Sequence, residues 1–338
     1  MNNIRRDEVA DRLVIISPKD TSKKSDKTCP YCPGNEKMTN PSTLSLVEKD
    51  GILQRLQDIE ENYVTNWSIR TFESAQPALS TNAENEYGEK PLYYEPAYGY
   101  HHIIVATPNH KETFSTLNVA QWSNVLVVIQ EKIKWLYTQK NVAYISLCIN
   151  QGEEAGSKYD HPYVDVITFP MIPPVIEKGI KTTSEIMDES GICPMCKSTE
   201  DEYCMERQIL KTNGFKAFCP WSPSHPFEFC ICPVKHATIF SKITQKEIVD
   251  LATILCATLG GLGKINPKIA YSIVFHLSPE KRTTKLIHWH IEVYPITHKK
   301  SGMEYGYGVF LNDTSPEEAS VILRTEARKV LADIVGIN

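Results

Sequence analysis

The sequence has no long apolar run, no basic cluster with interleaved aromatic residues and no low-complexity segment. No stretch approaches the roughly 20 apolar residues that span a bilayer, and residues 1–7 do not begin a secretion signal. The formal net charge of −5 argues against a protein that binds nucleic-acid phosphates. We therefore expect a cytoplasmic protein that acts on small molecules and has neither a nucleic acid nor a membrane as partner.

The ten cysteines are arranged for metal binding rather than for disulfides. Four of them form two Cys-x-x-Cys pairs, Cys29 with Cys32 and Cys193 with Cys196. Such pairs in a chain without a secretion signal favour metal over cystine. A redox pair is the alternative for either one. We interpret the other six as small buried residues: Cys148, Cys204, Cys219, Cys230, Cys232 and Cys256.

Each Cys-x-x-Cys pair is followed by the same order of histidines, which indicates an internal duplication. In the first copy His161 follows His110 by 51 residues, and in the second His288 follows His236 by 52. The length of 338 residues suffices for two domains. We predict repeats at residues 1–172 and 188–338, joined by a linker at 173–187.

Both predicted repeats contain a strand, an amphipathic helix and two further strands in that order. In the first repeat, apolar residues recur at three- and four-residue steps from Trp122 to Leu136. The second helix begins with a capping box of Thr244 and Glu247, and a closing helix begins at Ser315. This order predicts an α+β fold with mainly antiparallel sheets and helices packed against them.

Each Cys-x-x-Cys pair needs two further ligands to complete a tetrahedral zinc site, because zinc prefers thiolate and imidazole. The histidines at matched spacing can supply them in both repeats. The predicted metal ligands are Cys29, Cys32, His110 and His161 in the first repeat, and Cys193, Cys196, His236 and His288 in the second. Core or surface histidines without metal are the alternative, but that interpretation must explain the spacing twice.

Four segments together resemble galactose-1-phosphate uridylyltransferase and its relative ADP-glucose phosphorylase, within the histidine-triad superfamily. These segments are residues 29–36, 150–156, 161–165 and 288–295, and the resemblance extends over nearly the whole chain. It implies two tandem histidine-triad (HIT-like) repeats, a homodimer, and two zinc sites, of which the second could hold iron. It also implies transfer through a nucleotidyl-histidine, between a nucleoside diphosphate sugar and a sugar 1-phosphate or inorganic phosphate.

The resemblance assigns substrate contacts to residues of the first repeat. Asn150 matches a residue that supports the reacting phosphate, and Asn66 resembles an asparagine that contacts the nucleotide. Gly152 and Gly156 belong to a turn in which backbone N–H groups can approach phosphate oxygens, and Ser157 follows directly. We predict that these five residues bind substrate.

The first repeat departs from the family pattern at the reacting position. The family's nucleophile is the second histidine of His-Pro-His, and that position is Tyr163 here. A phenol with a pKa of about 10 is a weak nucleophile at neutral pH. Asp165 stands where a glutamine that steadies the phosphate is expected, and Lys158, in place of a serine, could offset its charge. We keep all three as candidate site residues.

The second repeat keeps the histidine pair that the first has lost. On a strand, His288, His290 and Glu292 share one face, while Trp289 faces the other side. His290 then occupies the nucleophile position of its own repeat, with Glu292 beside it. Catalysis by His290 and Glu292 is one interpretation. The other is a structural metal site formed or supported by His276, His288 and His290.

Three functions are consistent with these features. The leading hypothesis is a zinc-containing nucleotidyltransferase, which moves a nucleoside monophosphate such as UMP between a nucleoside diphosphate hexose and a hexose 1-phosphate. The second is a phosphorylase of ADP- or UDP-sugars. The third is a catalytically degenerate nucleotide-binding or scaffold protein, which the tyrosine at position 163 favours.

Several further residues have simpler interpretations. We expect His101 and His102 at the surface or at a strand edge, and His225 in a loop. Tyr305 and Tyr307 alternate with glycines, a pattern typical of a ligand pocket or of a twisted strand with bulges.

Overall fold

The computed structural model describes residues 2–17, 28–83, 86–90, 92–200, 204–282, 284 and 286–337. The predicted α+β class is confirmed. The described strands are β1 Asn3–Asp7, β2 Arg12–Ile16, β3 Ser42–Lys49, β4 Ile52–Leu56, β5 Trp67–Glu73, β6 Tyr94–Pro96, β7 His101–Val105, β8 Tyr144–Gln151, β9 Tyr163–Phe169, β10 Gln208–Lys211, β11 Phe215–Phe218, β12 Phe229–Pro233, β13 Ala270–His276 and β14 His290–Ile296. The described helices are α1 Val119–Tyr137, α2 Pro174–Ser190, α3 Pro194–Ser198, α4 Gln245–Ile265, α5 Gly302–Tyr307 and α6 Pro316–Val335.

Most strands belong to one large antiparallel sheet. Its eleven strands run in the order β10-β11-β12-β14-β13-β8-β9-β7-β5-β3-β4, and a small sheet has the order β2-β1-β6. The segment β7-α1-β8-β9 of the first half recurs as β12-α4-β13-β14 in the second half. The order of elements predicted for each half is therefore present in the structure.

Strands β8 and β13 join the two halves of the chain in the middle of the large sheet. Cys148 lies opposite Val274, and Asn150 lies opposite Ser272. We expected a separate sheet in each repeat. Instead the two halves pair edge to edge, which satisfies the backbone groups of two strands that would otherwise be exposed edges.

Helices α1 and α4 cover one face of the large sheet. In β8, β9, β13 and β14, residues such as Leu147, Val166, Ile273 and Ile291 point into this core and are 0% exposed. Residues on the other side of the same strands are mostly half-buried. We call this side the open face, and its residues are Ser146, Cys148, Asn150, Tyr163, Asp165, Ser272, Val274, His276, His290, Glu292 and Tyr294.

Helix α1 is held on the sheet by its predicted apolar face. Asn118 caps the helix by accepting a hydrogen bond of 2.8 Å from the backbone N–H of Gln121. Burial of a large apolar side chain contributes about 1.5–3 kcal/mol, so packing outweighs helix propensity here. The residues of this face are all 0% exposed: Trp122, Val125, Leu126, Ile129, Ile133 and Leu136.

Helix α4 is the most apolar helix of the described chain, and its capping box is present as predicted. The Thr244 N–H donates to Glu247 Oε2 at 2.8 Å, and the Glu247 N–H donates to Thr244 Oγ1 at 3.3 Å. By length and composition alone α4 could cross a membrane, but 67% of its apolar window is buried inside the structure. It packs against α1 and α6, so its apolar character is explained by its place in the core.

The segment predicted as a linker is mostly helical. Helix α2 begins with Pro174 in its first turn and ends at Gly191, whose φ of 72° suits a glycine cap. Ile176 and Ile180 are buried in a cluster with Tyr144 of the first half and Ile287 of the second. The connection therefore packs against both halves of the chain.

The expectation that His102 lies at the surface was wrong. Strand β7 is an interior strand between β5 and β9, so the His102 side chain is 0% exposed. Its ring packs edge-on against Trp135, with 5.5 Å between the ring centroids. His225 lies in a loop, as predicted; its side chain is buried there, and its Nδ1 lies 2.8 Å from Ser224 Oγ.

The segment with Tyr305 and Tyr307 forms helix α5, not a strand. Ser301 and Glu304 make a capping box, and Gly308 closes the helix with a φ of 64°. Both tyrosines are exposed, at 76% and 81%. The interpretation as a twisted strand missed the serine and glutamate that begin the helix.

Candidate metal and active sites

The four predicted ligands of the first repeat converge on one point. Nδ1 of His110 lies 3.3 Å from Nδ1 of His161 and 3.4 Å from Sγ of Cys32. Nδ1 of His161 lies 3.7 Å from the sulfur atoms of both Cys29 and Cys32. Ligands at zinc distances in a tetrahedron are separated by about 3.3–3.8 Å. The donor set therefore fits a tetrahedral metal ion.

A backbone carbonyl orients His161 for metal binding. The Nε2–H of His161 donates to the carbonyl oxygen of Thr107 at 2.8 Å, which leaves Nδ1 unprotonated and directed at the cysteines. Metal-binding histidines in proteins usually have such a partner on the other ring nitrogen. Burial lowers the pKa of His161, which favours the neutral form that a metal needs.

The four predicted ligands of the second repeat also converge. Sγ of Cys196 lies 3.4 Å from Nδ1 of both His236 and His288, and the four donor atoms, with that of Cys193, lie within 4.8 Å of one another. Burial lowers the pKa of His288 to about 4, so the ring is neutral at physiological pH. This donor set also fits a tetrahedral metal ion.

The cysteines of both sites need a cation to ionise. Burial raises the pKa of Cys29 and of Cys196 to about 11. A thiol with such a pKa is protonated at neutral pH, whereas a bound metal ion stabilises the thiolate and releases the proton. Metal binding at both sites is therefore coupled to loss of protons from the cysteines.

His276, His290 and Glu292 form a separate cluster on the open face. Nε2 of His276 lies 2.7 Å from Oε2 of Glu292, and Nε2 of His290 lies 3.5 Å from Oε1. Burial by itself would raise the pKa of Glu292, but the two histidines outweigh burial and lower it. Glu292 is therefore an anion between two imidazole rings; the sequence predicted its place beside His290 but not its contact with His276.

The tautomer of His290 is determined by its own backbone. Nδ1 of His290 lies 3.0 Å from the carbonyl oxygen of His288, and a carbonyl can only accept a hydrogen bond. Nδ1 therefore carries the proton in the neutral ring. Nε2 therefore keeps its lone pair, and an unprotonated ring nitrogen of this kind is what a nucleophilic histidine requires.

Tyr163 lies in a less reactive setting. Its hydroxyl oxygen accepts a hydrogen bond of 3.1 Å from the backbone N–H of Lys158, and its ring packs against Tyr31 at 5.2 Å. Burial, followed by the charge of Asp165, raises the pKa of Tyr163 above its ordinary value of 10. The environment thus makes this phenol a weaker nucleophile than a free tyrosine.

The two charged residues beside Tyr163 have other partners. Oδ1 of Asp165 lies 3.0 Å from Nε2 of His101, on the neighbouring strand. The Lys158 ammonium contacts the side-chain oxygen of Gln76. The prediction that Lys158 could offset the charge of Asp165 therefore has a competitor, because His101 already neighbours that carboxylate.

The predicted glycine turn has the expected backbone. Gly152 and Gly156 have φ of 90° and 83°, which favour glycine, and a Cβ on Gly152 would lie 2.9 Å from that of Ala270. The Ser157 N–H closes the turn by donating to the Gly152 carbonyl at 3.1 Å. Asn150 precedes the turn, and its Oδ1 accepts from Ser272 Oγ at 2.9 Å.

The candidate residues lie in two groups on the open face. Strand register puts His276 opposite His290, whereas Asn150 lies opposite Ser272. Four residues of strand separate Ser272 from His276, or roughly 13 Å. Asn150, Tyr163 and Asp165 therefore form one group and the cluster of His290 another. Asn66 is exposed at the start of β5, with a φ of 56°.

Some neighbours of the two groups were missed in the sequence. Tyr294 donates from its hydroxyl to Glu292, and it continues the alternation of His290 and Glu292 along β14. This alternation could have predicted it. The contact of His101 with Asp165 and that of Thr107 with His161 join residues 64 and 54 positions apart, so no local pattern could reveal them.

Comparisons with known proteins agree with this arrangement. The family model for galactose-1-phosphate uridyl transferase, N-terminal domain, matches residues 15–246. An ADP-glucose phosphorylase of Arabidopsis thaliana is 24% identical over an alignment 340 residues long, gaps included, and the alignment covers 95% of this chain and 92% of the relative. A galactose-1-phosphate uridylyltransferase of Thermotoga maritima is 25% identical over 338 residues, with coverage of 96% and 98%. A solved uridylyltransferase structure has a TM-score of 0.82 at 25% identity, covering 97% of this chain and 99% of the other.

The family match spans most of the chain and includes the ligands of the first site and three of the four in the second, Cys193, Cys196 and His236. The similar proteins extend over nearly the full length, so both halves are shared with them. The resemblance inferred from the sequence motifs is confirmed: the chain belongs to the galactose-1-phosphate uridyl transferase family.

Proposed function

We propose that this protein transfers a nucleoside monophosphate from a nucleoside diphosphate hexose to an acceptor, with His290 as the nucleophile. The observation that carries the proposal is the hydrogen bond between Nδ1 of His290 and the carbonyl of His288, 3.0 Å long. It leaves the lone pair of the neutral ring on Nε2, which lies on the open face 3.5 Å from Oε1 of Glu292. The equivalent residue of the first repeat, Tyr163, is buried and has a raised pKa.

The reaction has two displacements at the same phosphorus. In the first, the Nε2 lone pair of His290 attacks the α-phosphorus, an N–P bond forms, and the bond to the leaving sugar 1-phosphate oxygen breaks. In the second, an oxygen of the acceptor phosphate attacks the α-phosphorus and the N–P bond breaks. His290 is regenerated with its proton still on Nδ1.

Glu292 and His276 support the charge that develops on His290. A nucleotidyl-imidazole bonded at Nε2 and protonated at Nδ1 is cationic, and the Glu292 carboxylate lies 3.5 Å from that ring. His276 contacts the same carboxylate and can donate to it, which limits the repulsion between Glu292 and the incoming phosphate. Tyr294 donates a further hydrogen bond to Glu292.

We propose zinc as the metal of both Cys₂His₂ sites, with iron as the alternative at the second. A bound ion would neutralise the thiolates and crosslink each Cys-x-x-Cys segment to its strand. At the second site this would fix His288, whose carbonyl orients His290. The first-repeat group of Asn150, Tyr163 and Asp165 is then proposed to bind nucleotide without reacting. Assembly as a homodimer and a cytoplasmic location belong to the same proposal.

A phosphorylase is the second candidate, in which inorganic phosphate is the acceptor. It is favoured by the full Cys₂His₂ donor set of the second repeat. The resemblance of the sequence implies that Cys193, Cys196, His236 and His288 match a second zinc site seen in the phosphorylase branch. The Arabidopsis relative is also named an ADP-glucose phosphorylase. The two candidates share the first displacement and differ only in what accepts the nucleotidyl group.

Intact-mass measurement of the metal-loaded protein tests the proposal. After incubation with UDP-glucose or ADP-glucose, we expect a UMP or AMP adduct on wild type and on Tyr163→Phe, and none on His290→Gly. Inorganic phosphate and galactose 1-phosphate, added to the adduct separately, identify the acceptor. An adduct on His290→Gly would contradict the proposed nucleophile. If wild type forms no adduct with either donor and exchanges no labelled glucose 1-phosphate, the protein is a non-catalytic binder.

A further inference from the structure

The second half of the chain has a large cleft on the helix-covered side of the sheet. Its volume is about 1010 Å³, and its walls come from β11, the segment 233–239, and the first turns of α4. A volume of this size accommodates a ligand as large as a nucleotide. The cleft lies on the opposite side of β14 from His290 and Glu292, so it is separate from the cluster proposed to react.

The mouth of the cleft is cationic. Lys235, Lys242 and Lys246 line it, all three side chains are exposed, and none forms an ion pair within the described part of the chain. Two carboxylates also line the cleft, but each already accepts hydrogen bonds from the protein. Glu247 accepts from Thr244, and Asp250 accepts from Gly214 N–H at 2.7 Å. These hydrogen bonds orient the carboxylates but leave their charge, so the three lysines and two carboxylates together give a formal net charge of +1.

The floor of the cleft is apolar and has one unpaired donor. Phe215 and Ile243 line it beside Trp289, which is only 2% exposed. The indole N–H of Trp289 has no acceptor among the described residues. Its Nε1 is not one of the buried side-chain atoms that lack a partner, so the N–H remains accessible to solvent and does not carry the cost of an orphaned buried donor. An acceptor on a ligand would satisfy it.

The cleft is connected to the second metal site and to β14. His236, a predicted metal ligand, lines the cleft. The backbone N–H of Trp289, as distinct from its indole N–H, donates to the carbonyl oxygen of Ala237 at 3.0 Å. Trp289 also lies between His288 and His290 in the chain. A ligand in the cleft would therefore contact Trp289, which directly precedes the strand that carries His290 and Glu292.

We propose that this cleft is a second ligand site, which binds a nucleoside phosphate. The base packs against Phe215 and Ile243 and accepts a hydrogen bond from the Trp289 indole. The phosphate lies at the mouth, where the three lysines favour an anion. Neither an uncharged nucleoside nor free phosphate fills both parts.

Hydrogen–deuterium exchange and calorimetry with the metal-loaded protein test the site. We expect AMP to slow exchange at residues 235–247, and to bind at least about ten-fold more tightly than adenosine or inorganic phosphate. Charge reversal in Lys242→Glu with Lys246→Glu should remove that protection and weaken this binding at least about ten-fold. The matched control, Lys140→Glu with Lys268→Glu, changes two exposed lysines outside the cleft and should keep both.

Three outcomes would overturn the inference. The first is AMP protection confined to the open-face strands, which would mean that the nucleotide binds only at the proposed reacting cluster. The second is undiminished protection of residues 235–247 in the cleft variant. The third is phosphate alone binding as tightly as AMP, which would leave the apolar floor without a role. The His290→Gly variant should retain the protection of residues 235–247, so failure of the proposed reaction can be distinguished from failure of this site.

Discussion

The rings of His276 and His290 stack face to face, with 4.8 Å between their centroids and an interplanar angle of 4°. Strand pairing produces this contact, because the two residues lie directly opposite each other on β13 and β14. The Glu292 carboxylate contacts both rings, at 2.7 Å from Nε2 of His276 and 3.5 Å from Nε2 of His290.

We predict that His276→Asn slows turnover but leaves the nucleophile. The variant removes the ring that stacks on His290 and contacts Glu292, so stabilisation of the cationic intermediate is lost. We expect kcat to fall by about 10²–10⁴-fold while the nucleotidyl adduct still forms. Single-turnover mass spectrometry with UDP-glucose and ADP-glucose measures both. Loss of the adduct in this variant would give His276 a direct role in the first displacement.

We predict that Glu292→Gln lowers stability at neutral pH and that the difference shrinks in acid. The two histidines lower the pKa of Glu292 below its unfolded value of 4.5. The stability from this carboxylate is thus present above pH 4.5 and is lost as the pH falls towards the folded pKa. Urea unfolding of wild type and variant between pH 3 and pH 7 measures this. A difference independent of pH would contradict the ionic role of Glu292.

We predict two metal ions per chain, each lost separately. Cys29→Ser should remove the ion of the first site and Cys193→Ser that of the second, because each set has only four ligands. Metal analysis of the purified variants should give one ion each, and Cys148→Ser, outside both sites, should keep two. Melting temperatures should fall in both ligand variants. Two ions in a ligand variant would refute the assignment of that cysteine.

We predict that His102 makes the protein sensitive to acid. Burial, reinforced by Lys132, lowers the pKa of His102 to about 3, and neither ring nitrogen has a hydrogen-bond partner among the residues that the structure describes. The stability of the neutral ring is complete above its unfolded pKa of 6.5 and is lost as the pH falls towards 3. His102→Phe should remove this loss, which is at most a few kcal/mol. Replacing the exposed His298 should leave this loss unchanged. If the free energy of unfolding of His102→Phe falls in acid as steeply as that of wild type, His102 is not the cause.

We predict that the buried ion pair of Arg70 and Asp58 is the most sensitive one in the described chain to loss of a partner. Their side chains are 2% and 0% exposed, and Arg70 Nη2 lies 2.8 Å from Asp58 Oδ2. Arg70→Met leaves a buried carboxylate uncompensated, at a cost of about 3–5 kcal/mol. Arg6→Met breaks an exposed pair with Asp11, which solvent screens, and should have a much smaller effect on stability. If denaturant unfolding gives equal losses of unfolding free energy for the two variants, burial does not determine how much an ion pair stabilises this protein.

The sequence predicted the two Cys₂His₂ groups, because the spacing of their cysteines and histidines repeats in the two halves of the chain. It also predicted the caps of α4 and α6, since the side chains that cap a helix are close in sequence. It missed α5, because the glycines beside Tyr305 suggested a pocket or a bulged strand, whereas Ser301 and Glu304 form a capping box that begins a helix. It missed the burial of His102 because nothing local indicates that β7 has neighbours on both sides.

By itself, the sequence determined the two Cys₂His₂ sets and the face shared by His290 and Glu292, because both follow from covalent spacing and from the period of a strand. Only the tertiary structure decided which residues act together on the open face. The pairing of β8 with β13 sets Asn150 and His290 apart, and the pairing of β13 with β14 stacks His276 on His290. Strand register is a property of two distant segments, and the sequence of neither one contains it.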